Sequence, residues 1–71
     1  MNANMSSLRI NKGLSQEKLA YLVGVSRQTI CNIETGFAEP HVRLAMKIAK
    51  TLGTSVDELF GDYERSDASH S

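Results

Sequence analysis

Three side chains that can hydrogen-bond the edges of DNA bases stand close together at Arg27, Gln28 and Asn32. An arginine can donate two bonds to guanine O6 and N7, and glutamine or asparagine can pair with N6 and N7 of adenine. Gln28 and Asn32 are four residues apart, which places them on the same side of a helix. A plain solvated helix face is the alternative, but such faces usually carry glutamate and lysine. The pattern therefore favours base recognition, at about 1–3 kcal/mol of discrimination per good bidentate contact.

These residues need a helix to present them, and residues 27–35 are predicted to form it. Ser26 is a good N-cap for this helix, and Ile30 and Ile33 fall on its inner side. A second short helix is predicted at 16–23, after the N-cap Ser15. Because Gly24 lies between the two helices, residues 16–35 are predicted to form a helix-turn-helix motif.

The rest of the chain has the same pattern of short apolar stripes separated by glycines. Further helices are predicted at about 5–12, at about 42–52 and over a short stretch to about residue 60. Glycines are expected to end the five helices, at Gly13, Gly24, Gly36, Gly53 and Gly61. No segment alternates as a strand would, so the predicted fold class is all-α. The expected core is Leu8, Leu14, Leu19, Ala20, Val23, Val25, Ile30, Ile33, Leu44 or Ala45, Ile48, Leu52, Val56 and Leu59.

With 71 residues, the chain can hold one small domain, predicted at 1–61, followed by an acidic, disordered tail at 62–71. A single cysteine, Cys31, allows no internal disulfide, and no cysteine–histidine cluster suggests zinc. We therefore expect no metal and no cofactor. Cys31 is interpreted as a small tolerated residue rather than a redox sensor. The absence of a secretion signal and of a run of about 20 apolar residues predicts a cytoplasmic protein.

The net charge is zero, which by itself does not suggest a nucleic-acid partner. The distribution is uneven, however. Residues 1–36 carry four basic and two acidic side chains, whereas residues 37–71 carry four basic and six acidic ones. The expected DNA-binding end is thus weakly basic, and specificity should depend on geometry more than on bulk electrostatics.

The sequence resembles the Xre/Cro family of helix-turn-helix regulators, to which the lambdoid phage repressors belong. The resemblance rests on residues 14–20 (LSQEKLA), 24–30 (GVSRQTI) and 33–36 (IETG), and it extends through Pro40, 47–49 (KIA), 52–53 (LG) and 56–60 (VDELF). It covers about residues 5–60. It implies a compact five-helix, lambda-repressor-like domain that binds a two-fold DNA operator as a dimer, with the second motif helix in the major groove. A repressor is the implied type of regulator.

The resemblance also implies roles for individual residues. Arg27, Gln28 and Asn32 correspond to base contacts, and Arg9 and Glu34 to an internal salt bridge. The implied DNA backbone contacts are Gln16, Ser26, Thr29 and Thr35. Two positions depart from the family pattern: Phe37 replaces a lysine or arginine that would contact phosphate, and His41 replaces a serine or threonine that would cap the fourth helix better.

Apolar residues near the C-terminal end suggest assembly. Met46, Phe60 and Tyr63 are candidates for a two-fold dimer patch, or else they cover the core of the monomer. Ile10 falls off the apolar face of the first helix and is expected to be exposed or covered by a partner.

Two other functions compete with DNA recognition. An enzyme is disfavoured because the carboxylates are dispersed and the histidines have no partner. An antitoxin-like or other protein-interaction module on the same fold is the main alternative, and it would not need Arg27, Gln28 and Asn32 on one face.

Overall fold

Five short α-helices account for most of residues 3–61, which are the residues that this computed structural model describes. They are α1 (Ala3–Asn11), α2 (Gln16–Val23), α3 (Arg27–Thr35), α4 (Val42–Leu52) and α5 (residues 56–61). No strand occurs within this range, so the all-α prediction is confirmed. The predicted acidic tail at 62–71, including Tyr63, lies outside the described residues.

Polar N-caps define where the helices begin. The Ser15 and Ser26 hydroxyl oxygens accept from the backbone N–H groups of Lys18 and Thr29, at 2.9 and 3.2 Å. Each bond satisfies one of the amide groups that lack a partner in the first turn of a helix. His41 takes the same role at the start of α4, because its Nδ1 atom accepts from the Leu44 N–H at 3.1 Å. His41 therefore does cap α4 in the structure, at the position where the family pattern has serine or threonine.

Left-handed glycines define where the motif helices end. Gly24 has φ 80° after α2, and Gly36 has φ 82° after α3. In both turns the next residue bonds back into the helix: the Val25 N–H donates to Ala20 O at 2.9 Å, and the Phe37 N–H donates to Asn32 O at 2.8 Å. This geometry favours glycine, because a Cβ atom is strained at positive φ.

The core forms where α2 packs against α3 and α4, and where α1 packs against α3. Its fully buried large side chains are Met5, Leu19, Ile30, Ile48 and Leu52. The predicted core is largely confirmed, with Leu8, Leu14, Val25 and Val56 only partly buried at its edge. Met5, Ala49 and Phe60 belong to the core although the predicted set does not contain them.

Several sequence expectations are wrong in detail. Phe60 is 8% exposed and packs into the monomer core, so its side chain is not available for a dimer patch. Gly61 continues α5 and is not among the glycines with positive φ. Helix α1 begins at Ala3, two residues before its expected start at about residue 5, and Met5 is fully buried.

The outer side of α4 carries exposed apolar residues that do not pack into the core. Val42 and Met46 fall on the apolar side of α4 in sequence, yet they are 57% and 58% exposed. They do not contribute to the monomer core as Ala45 and Ile48 do. Within residues 3–61, no helix has the length and hydrophobicity that crossing a lipid bilayer requires.

Candidate nucleic-acid interface

Helix α3 has one side in the core and one side facing outward. Ile30 and Ile33 are buried on the inner side. Arg27 and Gln28 are exposed, and Asn32 is half-buried. All three predicted base contacts therefore keep solvent access on a short helix whose position is fixed by packing against α2 and α1.

Gln28 and Asn32 are joined directly. The Gln28 Nε2 atom donates to Asn32 Oδ1 at 3.0 Å. An amide NH2 group carries two hydrogens and an amide oxygen has two lone pairs, so each side chain retains capacity for a base edge. The bond orients the two amides relative to each other before any ligand binds.

The N-terminal ends of α2 and α3 also meet. Gln16 is the first residue of α2 and Arg27 the first residue of α3. The Arg27 Nη1 atom donates to Gln16 Oε1 at 3.4 Å. Helix N-termini present free N–H groups and the positive end of the helix dipole, which favour a phosphate oxygen. A predicted backbone contact thus lies next to a predicted base contact.

Behind this contact lies a buried carboxylate. Glu34 is 5% exposed, and its Oε2 atom lies 2.6 Å from Arg9 Nε in a salt bridge between α3 and α1. Its Oε1 atom accepts from Ser6 Oγ at 2.9 Å, from Gln16 Nε2 at 3.0 Å and from Arg9 Nη2 at 3.4 Å. Arg9 also donates through Nη1 to Leu14 O at 2.7 Å. The bonds to Glu34 join α1, α2 and α3 at one point, which we call the Glu34 cluster (Ser6, Arg9, Gln16 and Glu34).

The surroundings of Glu34 favour its charged form. Burial by itself raises the pKa of the carboxyl group. Hydrogen bonds from Arg9, Gln16 and Ser6, together with the positive charge of Arg9, lower it by more, so the pKa of Glu34 lies below its ordinary value of 4.5. Glu34 is therefore ionised, and as a carboxylate it can only accept hydrogen bonds.

The three hydroxyl groups expected to contact the DNA backbone are already engaged within α3 and its N-cap. Ser26 Oγ and Thr29 Oγ1 are 3.0 Å apart, next to the N-cap bond. Thr35 Oγ1 donates back into the helix, to Cys31 O at 3.0 Å and Asn32 O at 3.2 Å. Thr35 must release these bonds before its hydroxyl can donate to a phosphate, whereas Ser26 lies at the exposed start of α3.

The loop after α3 exposes an aromatic ring instead of a cation. Phe37 is 85% exposed. In this type of helix end, the residue after the glycine often packs on an apolar residue of the last turn. Here the matching position is Asn32, which offers no apolar surface. The polar Asn32 at that position is consistent with the exposure of Phe37.

Sequence reasoning missed Ser6 and the inward bond of Gln16. Ser6 stands three residues before Arg9, a spacing that puts both on one face of α1, and this was the available signal. Cys31 is half-buried and unpaired as a disulfide. Among the described residues, no group of three or more His, Cys, Asp and Glu side chains is arranged to hold a metal ion.

Two helices joined by a left-handed glycine, with the polar side chains Arg27, Gln28 and Asn32 on the outer face of the second, define a helix-turn-helix protein. The comparison with known families agrees: residues 5–59 match the family described as "Helix-turn-helix". The chain belongs to this Xre-like family of DNA-binding transcriptional regulators.

Similar proteins carry the same description. An uncharacterised HTH-type transcriptional regulator of Methanocaldococcus jannaschii is 43% identical over 60 residues, covering 84% of this chain and 91% of the relative. The uncharacterised HTH-type transcriptional regulator YgzD of Bacillus subtilis is 42% identical over 60 residues, with coverage of 84% and 91%. Among solved structures, the clp gene regulator ClgR of Corynebacterium glutamicum aligns with a TM-score of 0.75 and 28% identity, covering 96% of this chain and 72% of the other.

Proposed function

We propose that this protein recognises a specific double-stranded DNA operator of two-fold symmetry, as a homodimer with α3 in the major groove of each half-site. The observation that carries the proposal is the outer face of α3. It presents Arg27, Gln28 and Asn32 opposite the buried Ile30 and Ile33, with the N-terminus of α2 beside it.

The proposed contacts divide into two kinds. Arg27 binds a guanine edge, and the Gln28–Asn32 pair binds adenine edges. The phosphate backbone is contacted by a second set, which fixes the position of α3 along the duplex: Gln16, Ser26, Thr29 and Thr35. Gln16 donates to phosphate through the second hydrogen of its NH2 group, since the first is bonded to Glu34. Base contacts supply the preference for one sequence, whereas backbone contacts add similar affinity for every sequence.

We place the dimer contact on α4, because Phe60 is buried. Val42 and Met46 are exposed, and with the half-buried Val56 they line an open groove of about 890 Å³. We call Val42 and Met46 of α4, together with Val56 at the start of α5, the α4 face. Three basic residues also line this groove: Arg43, Lys47 and Lys50. Asp57 and Glu58 follow Val56 in the chain, so a two-fold arrangement can bring them against the basic residues of the second copy.

The regulator acts as a repressor in this proposal, because a dimer bound across an operator blocks access of other proteins to that DNA. It works where the genome is accessible, in the cytoplasm. A reporter gene placed behind the selected operator tests the direction of regulation: we expect lower expression when the protein is present.

Selection of bound duplexes from a random pool tests the DNA reading. We expect two inverted half-sites with centres about one helical turn apart. Arg27→Ala should lower the preference for the selected site over a site changed at one base pair by about 10- to 100-fold, the discrimination of one bidentate contact.

Arg27→Lys is the matched variant, because it keeps the positive charge and loses the planar, two-pronged donor group. We expect it to bind random duplex as the wild type does, with the preference still lost. If wild type and Arg27→Ala bind the selected and random duplexes equally, base reading by α3 is wrong, and a protein-interaction module on the same fold becomes the better description.

A further inference from the structure

We infer that Glu34 is a positioning residue for DNA recognition: through the side-chain amide of Gln16, it orients the guanidinium group of Arg27. This inference rests on the proposed function of Arg27. Glu34 is otherwise a buried ion-pair partner of Arg9, with no access to DNA itself.

The amide of Gln16 has a donor end and an acceptor end, and rotation by 180° exchanges them. Its Nε2 atom lies 3.0 Å from Glu34 Oε1. Because the ionised carboxylate only accepts, the NH2 end must face Glu34, and the oxygen of the amide must face outward.

Arg27 meets the outward-facing end of that amide. Gln16 Oε1 accepts from Arg27 Nη1 at 3.4 Å. An arginine can only donate, so the opposite amide orientation would place two donors against each other and lose this bond. The buried charge on Glu34 thus determines which end of Gln16 meets Arg27, although Glu34 acts on Arg27 only through Gln16.

The bond to Gln16 limits the freedom of the Arg27 side chain. Arg27 is exposed, at the first position of α3 and outside the core. A free arginine side chain samples many rotamers and loses that freedom when its planar donor group aligns with a base edge. A bond to Gln16 restricts the guanidinium group before DNA arrives, so less freedom is lost on binding. Because only the Arg27 side chain is restricted, only the preference at the base pair that Arg27 contacts should be affected.

The Glu34 cluster itself is well anchored. Arg9 holds both oxygens of the carboxylate from α1: its Nε atom lies 2.6 Å from Oε2, and its Nη2 atom lies 3.4 Å from Oε1. Within the described part of the chain, every buried polar side-chain atom has a hydrogen-bond partner. The Gln16 amide therefore binds to a fixed acceptor, which is what an orienting contact requires.

Base preference, rather than affinity alone, is the quantity that tests this role. Glu34→Gln should reduce the preference at the base pair contacted by Arg27 by about three- to tenfold, a part of the discrimination of one bidentate contact. The preference at the positions contacted by Gln28 and Asn32 should remain as in the wild type. In an Arg27→Ala background, Glu34→Gln should cause no additional loss of preference.

Ser6→Ala is the matched control, because it removes a hydrogen bond to the same Oε1 atom and leaves Gln16 and Arg27 untouched. We expect it to retain the preference at every base pair. Gln16→Met gives a second variant in case Glu34→Gln does not fold, since it keeps the Arg9–Glu34 salt bridge. It should weaken binding to all sequences and also lose the preference at the Arg27 position.

Two results overturn the inference. One is that Glu34→Gln weakens the preference equally at all base pairs. The other is that Gln16→Met causes a further loss of preference in the Arg27→Ala background. These outcomes are distinct from failure of the proposed function. If the proposed function fails, Arg27→Ala itself changes no base preference, and Arg27 has no base contact for Glu34 to orient.

Discussion

At the scale of single residues, the buried carboxylate of Glu34 connects three helices. It accepts from donors on α1 and α2 while lying on α3. Removing one partner of a buried pair leaves the other charge without compensation, which costs about 3 kcal/mol in comparable cases. We therefore expect Glu34→Gln to lower the free energy of unfolding by about that amount at neutral pH, as measured by urea denaturation.

The lowered pKa of Glu34 makes this contribution dependent on pH. The unfolded chain takes up the proton at higher pH than the folded chain does. The stabilisation is therefore complete above about pH 4.5, the ordinary value, and is lost as the pH falls through the lower folded pKa. Urea unfolding measured between neutral and acidic pH should show this loss in the wild type and a smaller one in Glu34→Gln.

Ser6→Ala provides a graded comparison for the same experiment. It removes one of the hydrogen bonds that lower the pKa of Glu34, so its loss of stability on acidification should lie between those of the wild type and Glu34→Gln. An equal dependence on pH in all three proteins would contradict the assignment to Glu34.

At the scale of elements, the glycine that joins α2 to α3 sets the geometry of the motif. A Cβ atom added at Gly24 would find no atom within 4 Å beyond its chain neighbours, so substitution meets no steric obstacle, but φ there is +80°. A left-handed conformation costs an L-residue about 1–2 kcal/mol. Gly24→Ala should therefore reduce the free energy of unfolding by about that amount, as measured by urea denaturation.

Gly61 offers the opposite case within the same chain. It lies in α5, and a Cβ there would meet only Asp57 Oδ1 at 3.9 Å. Gly61→Ala should stabilise the protein by up to about 0.5–1 kcal/mol, since glycine is the poorer helix former. If both substitutions change stability in the same direction, the difference in backbone conformation is not the cause.

The helix boundaries were predictable because they depend on local chemistry. Serine caps at Ser15 and Ser26 and the glycines after α2 and α3 act within a few residues, so the bounds of α2 and α3 agree with the sequence prediction. Gly61 shows the limit of the same rule. A glycine permits a left-handed turn, but whether a helix ends there depends on tertiary packing as well as on the local sequence.

At the scale of the whole molecule, burial was harder to predict than secondary structure. Phe60 and Met46 are both apolar residues on short helices, and sequence periodicity does not reveal which of them meets another helix. The structure buries Phe60 and leaves Met46 exposed. The sequence predicted that Arg27, Gln28 and Asn32 lie on the outer side of α3, and the structure places them there. The Glu34 cluster depends on three helices meeting, and the sequence indicated only its Arg9–Glu34 pair.

The exposed α4 face yields a prediction about assembly. Met46→Asp places a charge where the proposed dimer excludes water, and an uncompensated buried charge costs several kcal/mol. The dimer dissociation constant, measured by sedimentation equilibrium, should rise by at least about 100-fold. Binding to the two-fold operator should weaken, because each monomer then binds its half-site alone.

Ile10→Asp is the matched control for that experiment. Ile10 is 63% exposed on α1, similar to Met46 in exposure and apolar character. We expect Ile10→Asp to leave the dissociation constant unchanged. If Ile10→Asp disrupts the dimer and Met46→Asp does not, the contact surface lies on α1 instead.

The hydrogen bond between Gln28 and Asn32 has a consequence for how such a protein can acquire a new target site. Because the two amides hold each other at 3.0 Å, a change at either position alters the ligand geometry of the other. Arg27 is coupled in the same way to Gln16 on the neighbouring helix. Retargeting, by evolution or by design, should therefore proceed through paired substitutions at 28 with 32 and at 16 with 27, and libraries that vary these positions singly would sample mostly unsuccessful intermediates.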